Sequence, residues 1–376
     1  MDARQRIRVG TRGSRLSRVQ TSAVCRQLRA IAPGLEIDVV PVTTAGDCHP
    51  SKPVHAFGTT GIFTSELEAA LLQLEIDVAV HSLKDLPTTM HEDLTLAAVL
   101  CRDDARDVLV TPDGMDLNSL PPGSRLGTSS ARRTRMLHSL RSDFEVVPIR
   151  GNVDTRIRRM RETPSECRGL VLAACGLTRI DQTDGISDEF PLATFLTAPG
   201  QGAIALQVRG SDQRMVDFVQ PLDHMPTRLA TRCERALLHG LGGGCALPAA
   251  AYATVTENRI HLRAHVRSPD GQSLEAFEAS GTNAWQLGMR AADALLAQGV
   301  LKWLTPVYPV GMCVTLLPSS VPSRSTRSPN GARILGVAAR GGWNGLNRAS
   351  GSLASKSFKL RSANGRSPVT SVLESE

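Results

Sequence analysis

The sequence predicts an α/β protein: two α/β units in succession, followed by a small α+β section. Three observations carry that reading. Short apolar runs alternate with amphipathic stretches of helical length, the pattern of strands linked by helices. Aromatic residues make up only 3% of the chain, so the core must rest on Leu, Val, Ile and Ala, as helix-covered parallel sheets commonly do. The 376 residues are too many for a single small module and suit two or three domains of roughly 150 residues each.

Taken in order, residues 7–10 read as a strand, 14–30 as a helix, 35–42 as a strand, 64–74 as a helix and 77–81 as a strand. The alternation resumes with strands at 124–128, 145–149 and 169–173, separated by a helix ending at Leu140 and another over 152–161. After Gly200-Gln201-Gly202 comes a further apolar strand, 203–208. A stretch bounded by Pro221 and Pro226 then precedes a helix over 228–239, with strands near 249–255 and 259–266 and a helix over 283–297. That last section reads as α+β. From Ser319 onward the composition turns to Ser, Gly and Arg without sustained period, which predicts disorder.

Charge is unevenly placed. Lys and Arg number 43 against 36 Asp and Glu, a net +7, and the segment 319–376 alone holds nine basic and two acidic residues, also +7. The preceding chain is therefore neutral, and the overall basicity says nothing about a nucleic-acid or membrane partner for the folded part. Only Lys52, Lys84 and Lys302 precede the tail, so cationic work falls to arginine. The eight cysteines form no CxxC pair and are scattered through a long chain, as expected of reduced thiols in a cytoplasmic protein. The opening Met-Asp-Ala-Arg-Gln-Arg lacks the apolar run of a signal peptide, and no stretch approaches the ~20 apolar residues that span a bilayer. No HExxH or Cys-His cluster points to a metal.

Three segments repeat one construction: an apolar strand, a polar turn with Ser or Asn and a nearby Arg, then a helix. They are Ile7-Arg8-Val9-Gly10-Thr11-Arg12-Gly13-Ser14, Leu126-Gly127-Thr128-Ser129-Ser130-Ala131-Arg132-Arg133 and Ile149-Arg150-Gly151-Asn152-Val153-Asp154-Thr155-Arg156. Unpaired N–H groups and the partial positive charge of a helix N-terminus, beside a guanidinium, suit carboxylate or phosphate. Taken singly, each segment reads equally as a capped helix, with Ser129 and Asn152 as caps and solvated arginines. Together they hold more charge than helix faces need: residues 125–161 carry ten arginines against Asp143, Glu145 and Asp154. Phe144 is the only aromatic there, too few for base stacking, so a small polyanion is favoured over nucleic acid.

Val78-Ala79-Val80 runs into His81-Ser82-Leu83-Lys84-Asp85-Leu86-Pro87, placing charged residues at the C-terminal edge of a buried strand, where open α/β sheets place ligands. A surface turn ended by Pro87 is the alternative. Leu241-Gly242-Gly243-Gly244-Cys245 sets a thiol on a glycine loop that permits close approach of a bulky group, although most cysteines are simply buried small hydrophobes.

Five motifs in order, Val80-His81-Ser82-Leu83-Lys84-Asp85-Leu86-Pro87, Gly127-Thr128-Ser129-Ser130-Ala131-Arg132-Arg133, Ile149-Arg150-Gly151-Asn152, Ala198-Pro199-Gly200-Gln201-Gly202-Ala203 and Gly243-Gly244-Cys245, resemble the porphobilinogen deaminase (hydroxymethylbilane synthase) family, from Ile7 to about Val307. The resemblance implies two periplasmic-binding-protein-like α/β domains plus a small α+β C-terminal domain. It places the first domain at 1–101 and 202–222, the second at 102–201 and the third at 223–318, leaving 319–376 as a disordered basic tail. It implies a transferase of tetrapyrrole and haem biosynthesis that joins four porphobilinogen molecules head to tail on a dipyrromethane cofactor. The cofactor would be a thioether of Cys245, and the product hydroxymethylbilane, with loss of ammonia. Lys84, Asp85, Thr128, Ser130, Arg132 and Arg133 would hold the cofactor, and Arg12, Ser14, Arg150, Arg156 and Arg179 the substrate porphobilinogen or the growing chain. Asp85 would be the catalytic carboxylate, stabilising positive charge on ring nitrogens. A monomer without nucleic-acid or membrane partners is expected.

Two positions depart from the family pattern. The loop His55-Ala56-Phe57-Gly58-Thr59-Thr60-Gly61 lacks the usual lysines, with His55 or Lys52 as candidate substitutes, and Gly242 stands where an acid commonly precedes Gly-Gly-Cys. Two other classes compete: a two-lobed dicarboxylate-binding protein, which would need no Cys245, and a nucleic-acid-binding protein, whose affinity would fall steeply with salt.

Overall fold

The structure, a computed structural model, describes residues 6–44, 64–243 and 247–304. Cys245, the loop 55–61, Lys52 and the segment 319–376 lie outside the described residues. The elements in chain order are β1 (Arg6–Arg12), α1 (Arg15–Ile31), β2 (Glu36–Val42), α2 (Ser65–Leu72), β3 (Val78–Ser82), β4 (Leu94–Val99), β5 (Asp107–Val110), β6 (Arg125–Gly127), α3 (Ala131–Leu140), β7 (Glu145–Val147), α4 (Val153–Glu162), β8 (Gly169–Ala173), α5 (Ala174–Arg179), β9 (Ile186–Glu189), β10 (Ile204–Arg209), α6 (Gln213–Val219), α7 (Met225–Gly240), β11 (Ala249–Thr256), β12 (Arg259–Arg267), β13 (Leu274–Gly281) and α8 (Ala284–Ala297). Among the described residues no helix is long and apolar enough to cross a membrane.

The first sheet has the order β2-β1-β3-β10-β4 and the second β7-β6-β8-β5-β9. In both, three parallel strands are followed by an antiparallel one, β10 or β5, that the chain supplies when it crosses from the other sheet. The same order occurring twice makes the two lobes versions of one α/β design, as the fold class predicts. Helix α1 buries Gln20, Thr21, Val24, Cys25 and Leu28, a stripe at helical spacing. Its apolar members join Ile7, Val9, Val78 and Val80 of the first sheet in one core. The second lobe has a core on each face of its sheet, one around Leu126, Met136, Leu137 and Phe195 and one around Val110, Ile157, Met160 and Leu172.

The third section is an antiparallel meander, β11-β12-β13, with α7 and α8 on one face. Ala250 and Tyr252 on its other face pack with Phe190 and Phe195 of the second lobe. Four strands, β4, β5, β9 and β13, and the short helices α5 and α6 were not among the expected elements. The helix expected over 228–239 starts earlier, at Met225, because Pro226 sits in its first turn, where a missing N–H costs nothing.

Glu234 of α7 joins the sections. Fully buried, it forms a two-point ion pair with Arg102 at 2.6 and 3.1 Å and accepts from the Gly200 and Ala253 backbone N–H groups at 2.7 and 2.8 Å. Arg102 also donates to the Gln201 carbonyl at 2.7 Å and lies over the Tyr252 ring. Residues 102 and 200–201 belong to the two strands of chain that pass between the lobes. Such a charge is tolerable in the interior only because every lone pair has a partner.

Candidate active site

At the C-terminal edge of β3 the chain enters a 3-10 turn, Leu83–Asp85, closed by Leu86 N–H donating to the Leu83 carbonyl at 3.2 Å. Leu83 is buried beneath the turn, leaving Lys84 and Asp85 at the edge of the sheet. The turn stands at the C-terminal end of the strand and touches a crossing segment, since the Lys84 ammonium donates to Gln201 Oε1 at 3.2 Å. Gln201 is itself buried, and its Nε2 donates to the Ala105 carbonyl at 2.7 Å and to the Asp107 carboxylate at 2.9 Å.

Asp107, the first residue of β5, is wholly buried between Arg132 (2.6 Å) and Arg133 (2.6 and 3.2 Å) of helix α3. Burial pushes its carboxyl up, but the two guanidinium groups and Gln201 outweigh that and hold it well below the usual carboxylate range. Arg132 also donates to the Leu196 carbonyl at 2.7 Å, and Arg133 to that of Val171 at 3.0 Å. Ser130 caps α3 by accepting from Arg133 N–H, and Thr128 Oγ1 accepts from Ser130 N–H at 3.2 Å. The sequence reading assigned the cap to Ser129, whose hydroxyl instead donates to the Ile149 carbonyl at 2.7 Å and ties the second and third repeat segments together. Asn152 occupies the N-cap of α4 without a side-chain cap bond.

The electrostatics bring these groups together. Burial lowers the pKa of Lys84, Arg133 lowers it further, and Asp85, Cys175 and Asp107 oppose the shift. Arg156, which donates to the Gly151 carbonyl at 2.7 Å, is pushed down to about 10 by burial and by Arg133 and Arg150, against Asp85. Lys84 and Asp85 of the first lobe thus lie within electrostatic reach of Arg133 and Arg156 of the second. A cluster of half-buried cations that raise one another's cost of ionisation suits a ligand with several carboxylates.

The remaining candidates sit around this centre. Arg12 ends β1, and Ser14 caps α1, its hydroxyl accepting from Ser17 N–H at 3.2 Å. Arg179, at the end of α5, is engaged by Asp103 at 2.8 Å and the Gly202 carbonyl at 2.7 Å, both in the crossing segments. The arginine excess at 125–161 divides: Arg132, Arg133, Arg150 and Arg156 form the cluster, whereas Arg125 pairs with Glu145, Arg135 holds the Arg267 and Trp303 carbonyls and Arg141 holds Asp143 and the Leu117 and Leu120 carbonyls. Arg158, Arg159 and Arg161 are exposed. Sequence reasoning gave no role to Asp107, Gln201, Glu234 or Arg102. The available signal was an acid directly preceding an apolar run, Asp107-Val108-Leu109-Val110, since such a residue starts a buried strand with its charge inside.

Fold and site together define a two-lobed α/β protein with a small antiparallel third section and a cluster of arginines and one lysine where the lobes meet. The chain matches the family model for porphobilinogen deaminase, dipyrromethane cofactor-binding domain, over residues 7–217, and that for the porphobilinogen deaminase C-terminal domain over 228–297. It is similar to porphobilinogen deaminase of Syntrophotalea carbinolica, 42% identical over 295 residues that cover 78% of this chain and 93% of that protein. The porphobilinogen deaminase of Desulfitobacterium hafniense is likewise 42% identical, over 301 residues covering 80% and 97%. The chain belongs to the porphobilinogen deaminase family.

Proposed function

We propose that this chain is a transferase that joins four porphobilinogen molecules head to tail on a dipyrromethane cofactor and releases hydroxymethylbilane and ammonia. The observation that carries this reading is the match of both family models, in order, across the described lobes and third section. The buried cations agree with it. Each porphobilinogen unit has two carboxylates, so a cofactor of two rings and four additions brings twelve into one cleft, and each needs fixed donors. Arginine supplies them in bidentate form.

The residues present suit the dipyrromethane, because Arg132 and Arg133 stand as buried cations on one carboxylate, Asp107, and Lys84 reaches the same group through Gln201. In this reading Lys84, Thr128, Ser130, Arg132 and Arg133 hold the cofactor, with Cys245 as its thioether anchor. When bound, it supplies the terminal pyrrole carbon that takes the first incoming unit. Arg12, Ser14, Arg150, Arg156 and Arg179 hold the carboxylates of incoming substrate and of the growing chain. Asp85 would serve the ring nitrogens: as ammonia leaves porphobilinogen, positive charge develops on the pyrrole nitrogen, and a fixed carboxylate there would stabilise that charge and take up the proton released after carbon–carbon bond formation. Gln201, between Lys84 and Asp107, keeps the two lobes' charged edges in register.

The reading includes the domain boundaries expected from the sequence, a monomer in the cytoplasm, and no nucleic-acid or membrane partner. Incubation of the purified protein with porphobilinogen tests it. A linear tetrapyrrole that closes spontaneously to uroporphyrin I is the expected product, and a folded, cofactor-loaded protein that leaves porphobilinogen unconsumed contradicts the reading.

A further inference from the structure

The turn that carries Lys84 and Asp85 is gripped from the third section. Arg235 of α7 donates from NH1 to the Leu86 carbonyl at 2.9 Å and the Leu83 carbonyl at 3.5 Å, and from NH2 to the Pro87 carbonyl at 2.7 Å. The Leu83 carbonyl already accepts from the Leu86 N–H within the turn, so the guanidinium adds a second donor there and serves the two carbonyls, Leu86 and Pro87, that follow the turn. A guanidinium reaches several carbonyls at once because its donors form a rigid planar fork.

A second contact closes on the same turn. Gly243 has φ +67°, and a Cβ there would stand 2.9 Å from Thr88 Oγ1, so the backbone after α7 lies directly against the residue following Pro87. Neighbouring Glu234 anchors α7 to Arg102 and Gly200 of the crossing segments. Helix α7 therefore presents two consecutive side chains, one fixed to the crossing segments between the lobes and the other to the Lys84–Asp85 turn.

We infer that Arg235 is a positioning residue for the reaction: by holding the Leu83, Leu86 and Pro87 carbonyls it sets the placement of Asp85 and Lys84. This rests on the functional reading above. The expected cost follows from geometry. A carboxylate stabilises charge only where the charge develops, and a displacement of about 1 Å in a supporting contact costs on the order of a hundredfold in rate.

The test compares the full-length parent with Arg235→Met, which keeps an apolar stem but no donors, and Arg235→Lys, which keeps one cation able to reach fewer carbonyls. Intact mass reports cofactor loading, thermal unfolding reports the fold, and steady-state kinetics on porphobilinogen separate kcat from KM. We expect Arg235→Met to fold and load cofactor, with kcat about tenfold to a hundredfold lower and KM within about threefold of the parent, the pattern of lost transition-state placement. Arg235→Lys should recover part of kcat. Parent-level kcat in Arg235→Met, or a raised KM with unchanged kcat, overturns the inference, as does a loss of activity that only follows lost cofactor. If Arg235→Met does not fold, Arg235→Lys decides alone: a reduced kcat at parent KM supports the inference and a parent-level kcat overturns it. A parent that leaves porphobilinogen unconsumed overturns the functional reading itself, whereas an active parent beside an equally fast Arg235→Met variant overturns this inference only.

Discussion

Asp85 and Asp107 are both acids at the end of a strand, but only Asp107 is wholly enclosed, and the roles proposed for them differ accordingly. Asp107 has no exposed surface and is the counter-charge of Arg132 and Arg133. Asp107→Asn would keep the shape and leave two buried guanidinium groups uncompensated, a loss of about 3–5 kcal/mol that denaturant unfolding should register. Asp85→Asn should leave folding and cofactor loading intact while turnover falls by about 3–4 kcal/mol of transition-state stabilisation, roughly a hundredfold or more. Steady-state kinetics on loaded protein check this, and near-normal turnover would exclude Asp85 from the chemistry. The sequence could single out Asp85 because its motif is contiguous. It could not single out Asp107, whose partners lie 25 and 26 residues along the chain and meet it only once β5 and α3 are packed.

Strands with strong apolar patterns were readable in advance, such as β1, β3 and β8, and so were helices with an apolar stripe, such as α1. Those missed have physical reasons. Ile186-Ser187-Asp188-Glu189 is a polar edge strand of the second sheet, held by backbone pairing with β5 rather than by a buried face. In Leu274–Gly281 the inward side chains include only Phe277 and Ala279, too little apolar contrast beside two glutamates. The crossing segments drew attention through Gly200 and Gly202, but not the buried Glu234 that fastens them, because a glutamate in a helix normally signals the solvent face. Close helix packing supplies a test here. A Cβ on Gly288 of α8 would collide with the Cys233 carbonyl oxygen and come within 2.6 Å of Ala236 Cβ on α7. Gly288→Ala should therefore force the two helices apart and lower stability by about 1–3 kcal/mol despite its better helix propensity. An unchanged thermal midpoint would mean that α7 and α8 are not packed this closely.

Across the molecule, several buried ionisable groups make stability depend on pH in one direction. Burial pushes His81 down to about 4, although its ring donates to Gln207, and burial pushes His265, beside Arg267, Arg132 and Arg263, down to about 3. Both rings are neutral in the folded protein over a range where the unfolded chain, at about 6.5, takes up protons. Stability is thus complete above pH 6.5 and falls as pH drops towards 4, with a limiting slope of about 1.4 kcal/mol per pH unit for each histidine. Asp107, with a depressed pKa, adds a loss only at pH below the ordinary carboxylate range. Denaturant midpoints at pH 7, 6 and 5 should fall in that order, with a shallower fall for His81→Gln; pH-independent midpoints would contradict neutral burial of these rings. The wider charge pattern was only partly informative, because Arg135 and Arg141 are spent on backbone carbonyls and Arg158, Arg159 and Arg161 are exposed, away from the cleft cluster.

In the function proposed above, the cleft serves a dipyrromethane cofactor held by the thiol of Cys245. Intact-mass measurement of the purified full-length chain, beside Cys245→Ala, tests it most directly. The parent should carry one adduct with the mass of a dipyrromethane, and Cys245→Ala, still folded, should carry none. An unmodified parent that nonetheless turns over porphobilinogen, or an adduct that persists in Cys245→Ala, would contradict it.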